Sequence, residues 1–170
     1  MGQMAQKISA VDKEELLKIL NVAYAEEWLA YYQYWIGAQV AVGPMRKAIA
    51  AEFMEHAHEE LEHAEKVSKR IIELGGTPIL DPRDWEETAL CKYDAPEKPY
   101  VVNLLEQNLV AERCAIVRYQ KICEMTFGKD FVTYKMAAEI LEDEVEHEEE
   151  IGAYREDIEM TFAHKDEVQK

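Results

Sequence analysis

Four glutamates occupy positions where this chain needs apolar residues. Glu27, Glu60, Glu112 and Glu144 each fall on the hydrophobic stripe of a helix-period pattern, and two are followed three residues later by histidine, in Glu60-Leu61-Glu62-His63 and Glu144-Val145-Glu146-His147. A carboxylate buried without a partner costs roughly several kcal/mol or stays protonated. Such a chain is restricted to folds that gather these acids around something cationic. The pattern predicts a two-metal carboxylate site inside a four-helix bundle.

The helical patterns run over about 11–41, 45–74, 99–126 and 130–162. Asp12, with Glu15 three residues on, caps the first, whose stripe is Leu16, Leu20, Glu27, Tyr31, Tyr34 and Ala38. Glu26 falls about 100° away and is expected in solvent. The second begins behind Pro44, stops at Gly75-Gly76 and carries Ile49, Phe53, Ala57, Glu60, Ala64, Val67 and Ile71 on one face. The third reads Val102, Leu105, Leu109, Glu112, Ile116, Tyr119 and Cys123. The fourth, behind a capping Asp130, reads Phe131, Tyr134, Ala138, Leu141, Glu144, His147, Ile151, Tyr154 and Ile158. Residues 77–98 hold three prolines and no long periodic run, which suits a single crossover along the bundle with a short helix near 85–90. The polar last eight residues are too short for a fifth helix. The whole chain reads as one domain.

A Glu-x-x-His pair puts carboxylate and imidazole on one helix face. Alone the motif is weak, since Glu55 and His58 satisfy it too, with Glu55 about 140° from Glu60. Spacing strengthens it: Glu27 to Glu60 is 33 residues and Glu112 to Glu144 is 32, so the chain is a twofold repeat of helix-Glu, turn, helix-Glu-x-x-His. Two antiparallel hairpins bring Glu27, Glu60, His63, Glu112, Glu144 and His147 to one level. Four Glu and two neutral His nearly neutralise two divalent cations. The competing reading is four acids protonated or hydrated in a wet core.

Other residues carry weaker signals. Tyr34, seven residues after Glu27, is either a hydroxyl beside the metals or a core tyrosine. Met45, Met54, Met125 and Met136 read as core filler. His56, His58 and His164 lack counterparts across the repeat and read as solvated. The acidic run from Glu139 to Glu150 either lines an assembly's cavity or is an ordinary solvated face. Cys123 lies within about 20° of Glu112, as a buried thiol would. Cys114 lies about 200° round from Glu112, facing the crossover that carries Cys91. Those two either rest as thiols or form a redox-sensitive disulfide beside the metal site.

Composition excludes several classes. A net charge of −16 repels DNA, with only Lys7 in the first ten residues as a basic arm, so nucleic-acid binding is not expected. There is no apolar run of membrane length and no secretory pattern at the start, which makes the cytoplasm the expected compartment. Three cysteines without a C-x-x-C pair suit neither a disulfide framework nor a zinc or rubredoxin-type centre.

The stretches EEWLAYYQY, EELEHAE and DEVEHEEEI resemble the ligand segments of bacterioferritin, within the ferritin-like superfamily, and the likeness covers about residues 12–162. The resemblance implies a ferroxidase in which Glu60 and Glu144 bridge two irons, Glu27 and Glu112 are terminal ligands, and His63 and His147 bind one iron each. Manganese or zinc are possible substitutes. Bacterioferritin binds haem through a methionine directly after the second-helix ligand; this chain has Leu61 there, and no haem is expected. The missing fifth helix resembles the twelve-subunit Dps-like cages, whose iron site lies between subunits, whereas here all six ligands share one bundle. That combination, with Cys91 and Cys114 beside the site, is similar to Dps-like thioferritins. It implies oxidation of Fe²⁺ by hydrogen peroxide or oxygen, peroxide favoured, and mineral storage in a homododecamer. Competing expectations are a dimanganese catalase, a rubrerythrin-like peroxidase, or a plain helical interaction module. Against rubrerythrin, Ala115 stands where that family adds a carboxylate.

Overall fold

The computed structural model describes residues 4–168 and the side chains up to residue 162. Four long helices, α2 (Lys13–Val40), α3 (Arg46–Glu73), α5 (Val101–Thr126) and α6 (Phe131–Val168), form two antiparallel hairpins, α2 on α3 and α5 on α6. A short α1 (Met4–Lys7), absent from the sequence expectation, precedes them. The crossover contains a 3₁₀ turn (Pro82–Asp84) and α4 (Trp85–Thr88), ending two residues earlier than expected. The fold is all-α, with no strand among the described residues.

The caps act as the residue types require. Asp12 Oδ1 accepts from the Glu15 amide at 2.9 Å, and Asp130 Oδ1 accepts from the Thr133 amide at 3.0 Å. At the far end of α2, Gly43 adopts φ 125°, with the Tyr100 ring 2.7 Å from where a Cβ would stand. Val42 exchanges backbone hydrogen bonds with Pro99 and Val101, both 2.9 Å, stitching the first hairpin's turn to the start of α5. A second stitch, Ala10 N–H to Lys129 C=O at 3.0 Å, joins the opposite end of the bundle.

Three expectations need correction. α6 does not stop near residue 162 but runs to Val168, because the segment holds no Gly or Pro to end it; residues 169–170 lie outside the described ones. Met45 is 41% exposed in a left-handed conformation on the turn, not core filler, and Phe131, placed on the apolar stripe, is 71% exposed at the first residue of its helix. Met54, Met125 and Met136, also expected as core filler, are half-buried.

The apolar core divides in two. One cluster gathers Leu16, Leu20, Val67, Ile71, Ile122 and Ile140; the other gathers Tyr34, Ile49, Phe53, Leu105, Leu109 and Ile151. Each such side chain contributes about 1.5–3 kcal/mol by leaving water. The four glutamates lie in the layer between these clusters. A second buried polar group sits at the end of the bundle carrying the 127–130 turn. There Arg70 donates to both Asp130 oxygens at 3.0 and 2.9 Å and to Thr133 Oγ1 at 2.8 Å, while Thr133 itself donates to Asp130.

Candidate metal centre

The 3.6-residue period aims one glutamate from each long helix at the bundle axis. Glu27, Glu60, Glu112 and Glu144 are 2%, 1%, 1% and 0% exposed, and His63 and His147 are buried with them. Ligand-capable atoms fall into two overlapping groups, each within 4.8 Å: Glu27, Glu60, His63 and Glu144, and Glu60, Glu112, Glu144 and His147. Glu60 and Glu144 are common to both. The structure therefore brings together all six residues singled out by the repeat.

Each histidine turns one nitrogen inward and the other out. His63 Nδ1 lies 3.2–3.6 Å from the carboxylates of Glu144, Glu60 and Glu27, while its Nε2 lies 3.0 Å from Asp143. His147 Nδ1 lies 3.6–3.7 Å from Glu60, Glu112 and Glu144, while its Nε2 lies 2.9 Å from Glu59. Carboxylates on the far nitrogen are the usual orienting groups of a metal-binding imidazole. Tyr34 donates to Glu112, and Tyr119 donates to Glu27.

Asp143, Glu59 and Tyr119 were missed as site residues, yet the repeat could have found them. Tyr119 stands seven residues after Glu112 as Tyr34 stands seven after Glu27, and Glu59 and Asp143 directly precede Glu60 and Glu144. Glu26 is also corrected. Rather than being solvated, it accepts from Arg118 Nε at 2.9 Å and from the Leu90 and Cys91 amides at 3.0 and 3.1 Å, holding the crossover down. His56 is 1% exposed, because it lies four residues before Glu60 on the same helix face; His58 is exposed as expected, and the His164 side chain lies outside the described residues. Members of the acidic run are partly engaged, Glu148 with Arg113 and Glu150 with His56.

The electrostatics are those of a crowded acid cluster. Burial pushes Glu27 up to about 8, with His63 pulling against it and the Glu60 charge adding to it. Burial and the charges of Glu60 and Glu112 raise Glu144 well above the carboxylate range. Burial acts upward on Glu60 too, but His147 and His63 outweigh it and hold Glu60 low. Burial acts downward on both imidazoles and is overcome: Glu112 and Glu60 lift His147 to about 12, and Glu144, Glu27 and Glu60 lift His63. Burial, then Glu112 and Glu27 respectively, raises Tyr34 and Tyr119, so both remain hydroxyl donors. The donor set fits divalent cations on a further count. Both Glu144 oxygens, Glu112 Oε2 and His147 Nδ1 are buried without a hydrogen-bond partner among the described residues.

A cavity of about 620 Å³ leads to the cluster between α2 and α5, beneath the crossover, and reaches Glu27, Glu60, Glu112 and Glu144. Cys91 and Cys114 form part of its wall and are joined by a disulfide, their Cα atoms 6.3 Å apart; Cys123 is a buried free thiol. No helix among the described residues is long and apolar enough to cross a membrane.

Comparisons with known proteins agree with this geometry. Residues 17–161 match the family described as Ferritin, a ferritin-like domain. The DNA protection during starvation protein of Pyrococcus furiosus is 43% identical over 143 residues, covering 82% of this chain and 76% of that protein. The dodecameric thioferritin of Bacteroides fragilis, a bacterioferritin-related protein, superposes with a TM-score of 0.94 at 48% identity, covering 96% of this chain and 98% of the other. A ferritin-like, diiron-carboxylate protein from Bacillus anthracis superposes with a TM-score of 0.74 at 26% identity, over 84% and 96%. The chain belongs to the ferritin-like family, and within it resembles a Dps-like thioferritin.

Proposed function

We propose that the chain is a ferroxidase that oxidises Fe²⁺ at a dinuclear site inside each subunit. The observation that carries this is the pair of overlapping ligand groups sharing Glu60 and Glu144. In this reading those two bridge the irons, Glu27 and Glu112 are terminal ligands, and His63 and His147 bind one iron each through Nδ1. Four carboxylates offset two divalent charges, and manganese or zinc can occupy the same donors. Tyr34 and Tyr119 hold the terminal glutamates, while Asp143 and Glu59 fix the imidazoles.

Hydrogen peroxide is the favoured oxidant over oxygen. One peroxide takes one electron from each of two Fe²⁺ and two protons, and leaves as two waters. Glu27 and Glu144 lie at the inner end of the cavity through which a small oxidant would arrive. Cys91 and Cys114 serve as the redox cysteines: forming their bond releases two electrons and two protons, the number one peroxide consumes. Twelve copies storing ferric mineral is the proposed assembly, supported by the likeness to a dodecameric thioferritin.

Anaerobic loading with Fe²⁺ followed by peroxide tests the reading. Two Fe²⁺ oxidised per peroxide, with mineral retained by the protein, is expected. Oxygen evolution without net iron oxidation would replace the ferroxidase by a catalase. Twelve chains of 19.7 kDa should sediment near 240 kDa.

A further inference from the structure

His56 is buried beside the dinuclear cluster but takes no part in it. Its ring stacks on His147, centroids 4.1 Å apart and planes 17° from parallel, and meets Tyr34 edge-on at 5.1 Å. Nε2 lies 3.0 Å from Glu150 Oε2 and 3.8 Å from Glu52 Oε1, and Nδ1 has no hydrogen-bond partner among the described residues. The other oxygen of Glu52 accepts from Tyr154 Oη at 3.2 Å. Two carboxylates thus converge on one ring nitrogen, which has at most one proton to offer. Two ligands each about 2.1 Å from a tetrahedral metal stand about 3.4 Å apart, a spacing the observed distances straddle.

The fold itself does not ask for this histidine. At the matching place in the second half of the repeat, four residues before Glu144, stands Ile140, 0% exposed. An apolar side chain therefore satisfies the packing there, and a ring nitrogen facing two glutamates needs another reason. Glu52 and Glu150 are 22% and 43% exposed at their side chains, so the trio runs from solvent to a fully buried imidazole. Behind it, His56, Glu59 and His147 also present donor atoms within 4.8 Å of one another.

We propose that Glu52, His56 and Glu150 form a third, mononuclear divalent-cation site on the α3/α6 face, opposite the cavity between α2 and α5. Its fourth position is left to water. Resting on the dinuclear reading, its role is to stage Fe²⁺ one step from His147, so that cations and oxidant reach the centre from opposite faces.

Anomalous diffraction from crystals soaked in Zn²⁺ tests the site directly, using wild-type protein and the Glu52→Gln/Glu150→Gln double variant, which leaves the six-residue cluster untouched. Wild type is expected to show three peaks per chain, one about 2.1 Å from His56 Nε2. The variant is expected to keep only the two between Glu60 and Glu144, and calorimetric Zn²⁺ stoichiometry should fall from three to two. An empty His56 position in wild type, or a third peak that survives in the variant, overturns the proposal. A peak at His56 with none between Glu60 and Glu144 sinks the dinuclear reading and the staging role while leaving the cation site. Anaerobic Fe²⁺ filling of the dinuclear site should slow several-fold in the variant; equal rates overturn the staging role.

Discussion

Two of the polar groups buried in this bundle, the Arg70 group and the glutamate layer, are built on opposite principles. The Arg70 group is closed: guanidinium, carboxylate and hydroxyl satisfy one another, and Asp130 and Thr133 are 1% and 0% exposed. The glutamate layer is open: four acids and two imidazoles leave both Glu144 oxygens and Glu112 Oε2 without hydrogen bonds among the described residues. A group that completes itself serves the fold, whereas one that leaves buried acceptors unpaired is open to a further partner.

The largest effect that would break this contrast is on stability. Asp130→Ala leaves the buried Arg70 guanidinium only Thr133 and the part-exposed Glu73 as partners and should lower unfolding free energy by about 3–5 kcal/mol in urea titration. Glu144→Gln should do the reverse in metal-free protein, raising stability by about 1–3 kcal/mol as one unsatisfied acid is relieved. It should also erase the gain given by metal, about 2.7 kcal/mol at a hundredfold excess over Kd in the parent. If Glu144→Gln destabilises the metal-free chain as Asp130→Ala does, the two groups are not different in kind. Asp143→Asn or Glu59→Gln should weaken metal binding about 10–100-fold, read by chelator competition, with little change in the urea midpoint.

Acid sharpens the contrast further. Burial acts upward on Asp130, but Thr133 and Arg70 overcome it and hold the carboxyl below its ordinary range. Its contribution to stability is therefore full above the unfolded value near 4 and fades as pH drops through the lower folded value. The glutamate cluster is expected to run the other way in loading experiments. With Glu27 lifted to about 8, Zn²⁺ binding at neutral pH must displace protons, so pH-stat titration should record their release and affinity should fall as pH is lowered.

Much of the bundle was legible because its signals repeat. Helical periodicity places four glutamates in apolar slots, and the near-equal spacings of 33 and 32 residues pair the hairpins before any coordinates are known. What the sequence hid was mostly relative rotation between helices. Glu26 reads as solvated from its own helix, but Arg118 and the crossover amides come from elsewhere in the chain. His56 was judged by its lack of a counterpart, when its distance of four residues from Glu60 already put it on the inner face. The run of α6 to Val168 shows that a polar segment without breakers can extend a helix.

The backbone stitches at the two ends of the bundle, Val42 with Pro99 and Val101, and Ala10 with Lys129, act as a pair of calipers. Metal coordination tolerates displacements of only about 0.2 Å, while sliding one helix past another by a single residue moves the glutamate it carries about 1.5 Å. Hydrophobic contact alone is too forgiving to set that alignment. These few hydrogen bonds, about three to five helical turns from the glutamates, fix the longitudinal gauge of the pair of hairpins, so a change in a distant turn can shift the glutamate layer it never touches.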